Sequence, residues 1–139
     1  MESGNKMNKI SLIMSDKDIS DGHKKRIAFV DKMMTLPISK YIDVFGHGFK
    51  PIPDKWSAIA PYKYHLVLEN SVQKDYWSEK LADSFLGFSY PIYYGCPNIE
   101  DYFSRNSMSI IDIENFDESI ILLETIIDND IDLKKSLAI

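Results

Sequence analysis

The chain has 139 residues and a mass of 16.0 kDa, with 45% hydrophobic and 27% charged residues. That is one ordinary domain with enough apolar residues for a real core, which excludes a disordered chain and disfavours two packed domains. The net charge of −5 disfavours a bulk nucleic-acid binder, although residues 1–65 carry 11 Lys and Arg against 7 Asp and Glu while residues 66–139 carry 5 against 14. The basic half can serve an anionic small ligand. Cys96 is the only cysteine, so no internal disulfide is possible and a reduced, cytoplasmic setting is expected. No secretory signal is visible, and the longest aliphatic run, Ile120 to Leu123, is far short of the roughly 20 residues that span a bilayer.

In chain order, residues 1–8 read as a polar tail, and residues 9–14 (KISLIM) as a short buried strand. Ser15 to Gly22 is turn chemistry. Residues 23–36 place Ile27, Val30 and Met34 at helical spacing, and Pro37 limits that helix. Residues 41–45 (YIDVF) read as a second strand, and Asp54 caps a short helix through Ile59. Residues 63–68 (KYHLVL) form a third strand, followed by a polar loop and a helix near 78–87. Residues 90–94 and 109–113 are the fourth and fifth strands, Asp117 opens a helix to about Asp128, and a last helix begins at Ile131.

Strands alternate with helices, and several strands are mostly apolar rather than alternating. That pattern predicts an α/β fold: a Rossmann-like three-layer sandwich with a mainly parallel sheet. Ligands of such sheets bind beyond the carboxyl ends of the strands, here the loops 15–26, 46–50 and 69–80.

Neither GxGxxG nor a P-loop is present. The densest polar stretch is ENSVQKDYWSEK, residues 69–80, with Glu69, Asn70, Tyr76, Glu79 and Lys80 lying between two apolar elements. Ser78, Glu79 and Lys80 open a helix, whose backbone N–H groups attract anions, and a lysine there adds a full charge. A neighbouring carboxylate can accept hydrogen bonds from sugar hydroxyls. An ordinary capped helix with a solvated first turn is the plain alternative. Arg26 shares a helix face with Val30 and Met33 and can aim its fork at a phosphate from the core edge. Asp128-Asn129-Asp130 looks like a metal-binding DxD, but its place at a helix end away from the ligand edge favours a solvated terminus. His23, His47 and His65 lack ligand spacing; His65 reads as packing, and His47, between two glycines, as a group that can approach a nucleotide.

The segment YKYHLVLENSVQKDYWSEKL, followed by YPIYYGCP and SMSIIDIENFDESI, resembles the C-terminal core of glycosyltransferase family 10, the α1,3/α1,4-fucosyltransferases. Glu69, Asn70, Ser71, Tyr76, Glu79, Lys80, Pro91, Gly95 and Pro97 fall in order with family-like spacing. Upstream, KKRIAFVDKM and YIDVFGHG are looser matches, and the likeness runs over about residues 9 to 130. Leu68 stands where the family has phenylalanine, and Ser78 where it has threonine.

The resemblance implies one half of a two-domain GT-B enzyme, with residues 9–139 as the domain that binds the donor GDP-fucose. On matching positions, Arg26 and Lys80 would hold the diphosphate and Glu79 the ribose hydroxyls. Asn70 and Tyr76 would line the phosphate and fucose side, with Glu69 in the same strand-end pocket. No cofactor and no protein-bound metal are expected. The implied chemistry is an inverting displacement. Its base and its glycan acceptor, of lipopolysaccharide or N-acetyllactosamine type, belong to an N-terminal domain for which this chain has no room, so no catalytic residue is expected here and no transfer by this chain alone. A bacterial-type, cytoplasmic enzyme with peripheral membrane association in its full form is implied. Two other readings stay open: a noncatalytic binding or interaction module that kept the fold, and a transferase for another nucleotide sugar.

Overall fold

The computed structural model describes residues 6–14, 21–46, 49–51 and 54–129. Five strands form one sheet: β1 (Met7–Ile13), β2 (Ile42–Phe45), β3 (Tyr62–Leu68), β4 (Tyr90–Tyr94) and β5 (Ser109–Ile110), in the order β2-β1-β3-β4-β5. Every pairing is parallel, with Ile10 opposite Ile42, Leu12 opposite Leu66, and Leu66 opposite Ile92. The helices are α1 (Asp21–Met33), α2 (Glu79–Leu86) and α3 (Phe116–Asn129). This is the predicted Rossmann-like α/β sandwich.

Side chains alternate across a strand, so each sheet face collects its own core. On one face Ile10, Leu12, Val44, Tyr64, Leu66 and Ile92 pack with Phe29, Val30 and Met33 of α1 and Leu123 and Ile126 of α3. On the other, Val67 and Tyr93 pack with Leu81 of α2 and with Cys96, Ile99 and Met108. β3 is buried on both faces from Tyr64 to Leu68, which explains why its apolar residues do not alternate with exposed polar ones. The chain winds from β1 outward to β2, then returns across β1 to begin β3. The winding direction therefore reverses between β1 and β3, and a crevice opens beyond their carboxyl ends at such a point.

The structure corrects several boundaries. The stretch 1–8 is not a tail throughout: β1 begins at Met7, and Lys6 is buried. Its ammonium donates to the carbonyl oxygens of Ala60, Gly87 at 2.7 Å and Tyr62 at 3.3 Å, and reaches Ser89 Oγ at 3.5 Å. Carbonyl oxygens from two distant turns make a polar pocket that only the folded chain assembles, and burial pushes the amine down to about 8.

The helix expected over 23–36 starts at Asp21 and stops at Met33, because Pro37 opens a separate 3₁₀ turn, Pro37–Tyr41, whose preceding residue must be extended. Among the described residues between β2 and β3 the helical element is a 3₁₀ turn, Lys55–Ala58, capped as expected by Asp54, whose Oδ1 accepts from Ser57 N at 3.0 Å. β5 is two residues long instead of five. Ile111 N still bonds Tyr93 O at 2.9 Å, but Asp112 then turns the chain by accepting from Glu114 N at 3.0 Å. His47 and the helix expected from Ile131 lie outside the described residues.

Candidate functional site

The carboxyl edge is organised around the residue that follows β3. Glu69 N–H continues the ladder to Tyr94 O at 2.9 Å, and its side chain turns inward, 1% exposed. A carboxylate can be buried only where donors satisfy both oxygens. Ser78 supplies two, its N–H at 2.8 Å and its hydroxyl at 2.6 Å, and the Tyr93 hydroxyl adds a third at 3.1 Å. Tyr93 in turn accepts from Cys96 N at 3.1 Å. Burial first, and then the Glu69 carboxylate, push the Tyr93 phenol above its ordinary range, so it stays a donor. Gly95 completes the arrangement: a Cβ there would stand 2.4 Å from Glu69 Cγ and 2.9 Å from the Tyr93 oxygen.

Ser78 is also the N-cap of α2, its hydroxyl oxygen accepting from Lys80 N at 3.3 Å. The start of α2 thus hangs from Glu69. Glu79 and Lys80, its first two residues, line an open cleft of about 580 Å³ together with Ile13 and Leu68 at the ends of β1 and β3. Asp83, on the same wall, is paired with Lys55 at 3.0 Å. Among the described residues the Lys80 ammonium and the Glu79 carboxylate have no ion-pair or hydrogen-bond partner.

The six residues expected at the site therefore divide. Asn70 and Tyr76, between β3 and α2, and Glu79 and Lys80, at the start of α2, occupy exposed or half-buried positions. Glu69 and Arg26 are buried. The Glu69 carboxylate is engaged in holding Ser78 and Tyr93. Arg26 Nη2 lies 2.6 Å from His23 Nδ1, and because a guanidinium only donates, that ring nitrogen accepts. Arg26 follows Gly22 by one helical turn, and a Cβ on Gly22 would fall 2.2 Å from Asn70 O. The first turn of α1 is thereby pressed against the end of β3, which brings the helix of Arg26 to Asn70.

The loop itself is fastened to the segment after β4. Asp75 N–H donates to Asn98 Oδ1 at 2.8 Å, and Asn98 Nδ2 returns a bond to Asp75 Oδ1 at 2.7 Å. The Tyr102 hydroxyl donates to the same carboxylate at 2.8 Å. Bonds from Asn98 first, and Tyr102 second, hold the Asp75 carboxyl below its ordinary range. Tyr93, Asn98 and Tyr102 are residues that sequence reasoning did not single out. Tyr93 sits in an apolar strand and the other two in a short irregular segment, so no periodicity marks them.

His65 behaves as expected for packing: it is buried, its Nδ1 lies 2.8 Å from Ser11 Oγ, and burial pushes it down to about 4. Asn8 Nδ2 donates to Ile127 O at 3.2 Å, which places the end of α3, with Asp128 and Asn129, beside the start of β1 and opposite the ligand edge. Asp130 lies outside the described residues.

Comparison with known proteins agrees with the fold described above. Residues 4–133 match the model of the glycosyltransferase family 10 (fucosyltransferase) C-terminal region. The chain is 31% identical over 100 residues to the alpha-(1,3)-fucosyltransferase FucT of Helicobacter pylori, covering 68% of this chain and 20% of that protein. It is 32% identical over 107 residues to GDP-fucose protein O-fucosyltransferase 3 of Bos taurus, covering 66% of this chain and 21% of that protein. Among solved structures, an α1,3-fucosyltransferase with GDP-fucose superposes with a TM-score of 0.75 at 22% identity, over 99% of this chain and 40% of that one. An α1,3-fucosyltransferase with GDP gives 0.76 at 22% identity, over 99% and 39%. The fold is thus that of one half of a GT-B enzyme, and the chain spans about a fifth of these curated relatives. With the family's pattern filled from Glu69 to Pro97 and its region matched over 4–133, the chain belongs to glycosyltransferase family 10, the fucosyltransferases, and carries that family's C-terminal domain.

Proposed function

We propose that this domain binds GDP-fucose and presents it for inverting transfer of fucose to a glycan acceptor. The observation that carries the reading is the set of four uncommitted polar side chains that follows β3, Asn70 and Tyr76 in the loop and Glu79 and Lys80 at the start of α2, which a fully engaged buried carboxylate holds near the β1/β3 reversal. Lys80 takes the diphosphate and Glu79 accepts from the ribose hydroxyls. Asn70 and Tyr76 line the phosphate and fucose side. Arg26 adds a second positive charge from the core beside His23, where the low dielectric lets a charge act over a longer distance than in water. Glu69 shapes the pocket and does not touch the donor.

In this scheme positive groups stabilise the charge that grows on the leaving diphosphate. The general base that deprotonates the acceptor hydroxyl, and the acceptor site itself, belong to the part of the enzyme that corresponds to the other 60% or so of the superposed fucosyltransferase chain, so this chain alone holds the donor without transferring fucose. No cofactor and no protein-bound metal enter the scheme. The acceptor is a glycan of lipopolysaccharide or N-acetyllactosamine type, and the setting is the cytoplasm of a bacterial-type cell, with the full enzyme able to associate peripherally with the membrane. No described helix is long and apolar enough to cross a membrane.

Isothermal titration of the folded chain with GDP and GDP-fucose tests this. Binding that weakens in Lys80→Ala and in Arg26→Ala supports it. Absence of binding at millimolar GDP overturns it, and tighter binding of a different nucleoside diphosphate reassigns the donor.

A further inference from the structure

The loop from Asn70 to Ser78 carries two of the four proposed donor-binding side chains, yet it buries little. Val72 is 50% exposed and Tyr76 36%. A loop with so few apolar contacts has no packing reason to stay in one shape. Its two ends are fixed, by the β3 ladder and by the Ser78–Glu69 bonds. The Trp77 ring is fixed as well, 5.0 Å from Phe103 and 6.0 Å from Tyr102, centroid to centroid. What sets the backbone on the other side of Tyr76 is Asp75, which sits at φ +64, a conformation most side chains avoid and aspartate tolerates. That turn is held from outside the loop, by the paired bonds between Asp75 and Asn98, by the Tyr102 hydroxyl, and by Asp101, whose Oδ2 accepts from Asn98 Nδ2 at 3.0 Å and so orients the amide. Asn98 satisfies both the backbone N–H and the carboxylate of one residue, and the next residue is Tyr76.

We propose that Asn98 is a positioning residue of the donor site: by clasping Asp75 it holds Tyr76 in its binding position before the nucleotide sugar arrives. This rests on the donor reading above. The loop is then pre-organised, and a variant that releases it pays for ordering at the moment of binding. If the free loop keeps its bound shape one-tenth of the time, affinity falls about tenfold.

The test compares the wild-type chain with Asn98→Ala, and with Tyr102→Phe, which removes one bond to Asp75 and keeps the ring against Trp77. Each is titrated with GDP by calorimetry and digested with trypsin, for which Lys74 in the loop is a cleavage site. The expected result for Asn98→Ala is GDP binding about tenfold weaker and cleavage after Lys74 several-fold faster, the extra cleavage confined to that site and suppressed by saturating GDP. Tyr102→Phe gives the same pattern at a smaller amplitude. A general loss of folding would instead open other lysines too, and GDP would not restore selectivity. If the wild type binds GDP and both variants bind it equally well, the positioning role is overturned and the donor reading stands. If the wild type itself does not bind GDP, the donor reading fails, and the positioning role with it.

Discussion

Ser78 gives both its backbone N–H and its hydroxyl to the two oxygens of Glu69, at 2.8 and 2.6 Å. The bond joins the last residue before α2 to the first residue after β3, nine positions earlier in the chain. It turns a polar strand end into a mount for the helix that carries Glu79 and Lys80.

Replacing Glu69 with glutamine keeps the size and removes the charge. The amide nitrogen then faces Ser78 Oγ and donates where the carboxylate accepted, so the hydroxyl proton loses its acceptor. The expected cost is about 1–3 kcal/mol in stability, the range for a buried group left unsatisfied, together with weaker GDP binding because Glu79 and Lys80 lose their fixed start. Urea unfolding and calorimetric titration of Glu69→Gln check both. Unchanged stability with lost binding would return Glu69 to the ligand pocket.

Gly95→Ala places a methyl group 2.4 Å from Glu69 Cγ and 2.9 Å from the Tyr93 oxygen. Glu69 cannot yield without straining its Ser78 bonds, nor the Tyr93 hydroxyl without straining its bonds to Glu69 and Cys96 N. The expected loss is roughly 1–3 kcal/mol, typical of overpacking in a filled site, read as a lower melting temperature, and the variant binds GDP less tightly than wild type.

His65 makes stability depend on pH. Its folded value is pushed down to about 4 from 6.5, so between these values the unfolded chain binds more protons than the folded one. Stability therefore falls as pH drops from 6.5 toward 4, by up to about 3 kcal/mol over that window. Above 6.5 this group contributes no slope. Unfolding measured from pH 7 to pH 4 in the wild type and in the double variant Ser11→Ala, His65→Leu checks it, with the slope in this window smaller in the variant.

Lys6→Met removes the ammonium that serves Ala60 O, Tyr62 O and Gly87 O at the amino edge. Ala60 O and Gly87 O lie in protein and lose this donor, while Tyr62 O keeps the Ser89 hydroxyl at 2.7 Å. A destabilisation of about 1–3 kcal/mol follows, measured by urea unfolding, while GDP affinity is unchanged because the residue lies at the edge opposite the site.

The elements that were legible in sequence are those whose cause is local. The apolar run Tyr64 to Leu68 marks a strand covered on both faces. Ser78 before Glu79 and Lys80 marks a helix start, and Asp54 before Lys55 marks a capped turn. The residue pattern from Glu69 to Pro97 was sufficient to indicate the family, and the family model covers it. Boundaries slipped where a distant partner decided them. β5 stops at Ile110 because Asp112 bonds Glu114 instead of continuing the ladder, and Lys6 enters the fold because carbonyls from residues 60 and 87 converge on it.

The sequence by itself determined the alternation of strands and helices, the parallel sheet and the short polar stretch where a ligand belongs, because periodicity, caps and turn chemistry act between near neighbours. Only the tertiary structure decided which of those polar residues face outward. Glu69 and Lys80 look equally available in a string of letters. Glu69 is turned inward because Ser78 and Tyr93, nine and 24 positions away, supply the donors that let a carboxylate leave water, while Lys80 finds no partner among the described residues and stays open to a ligand.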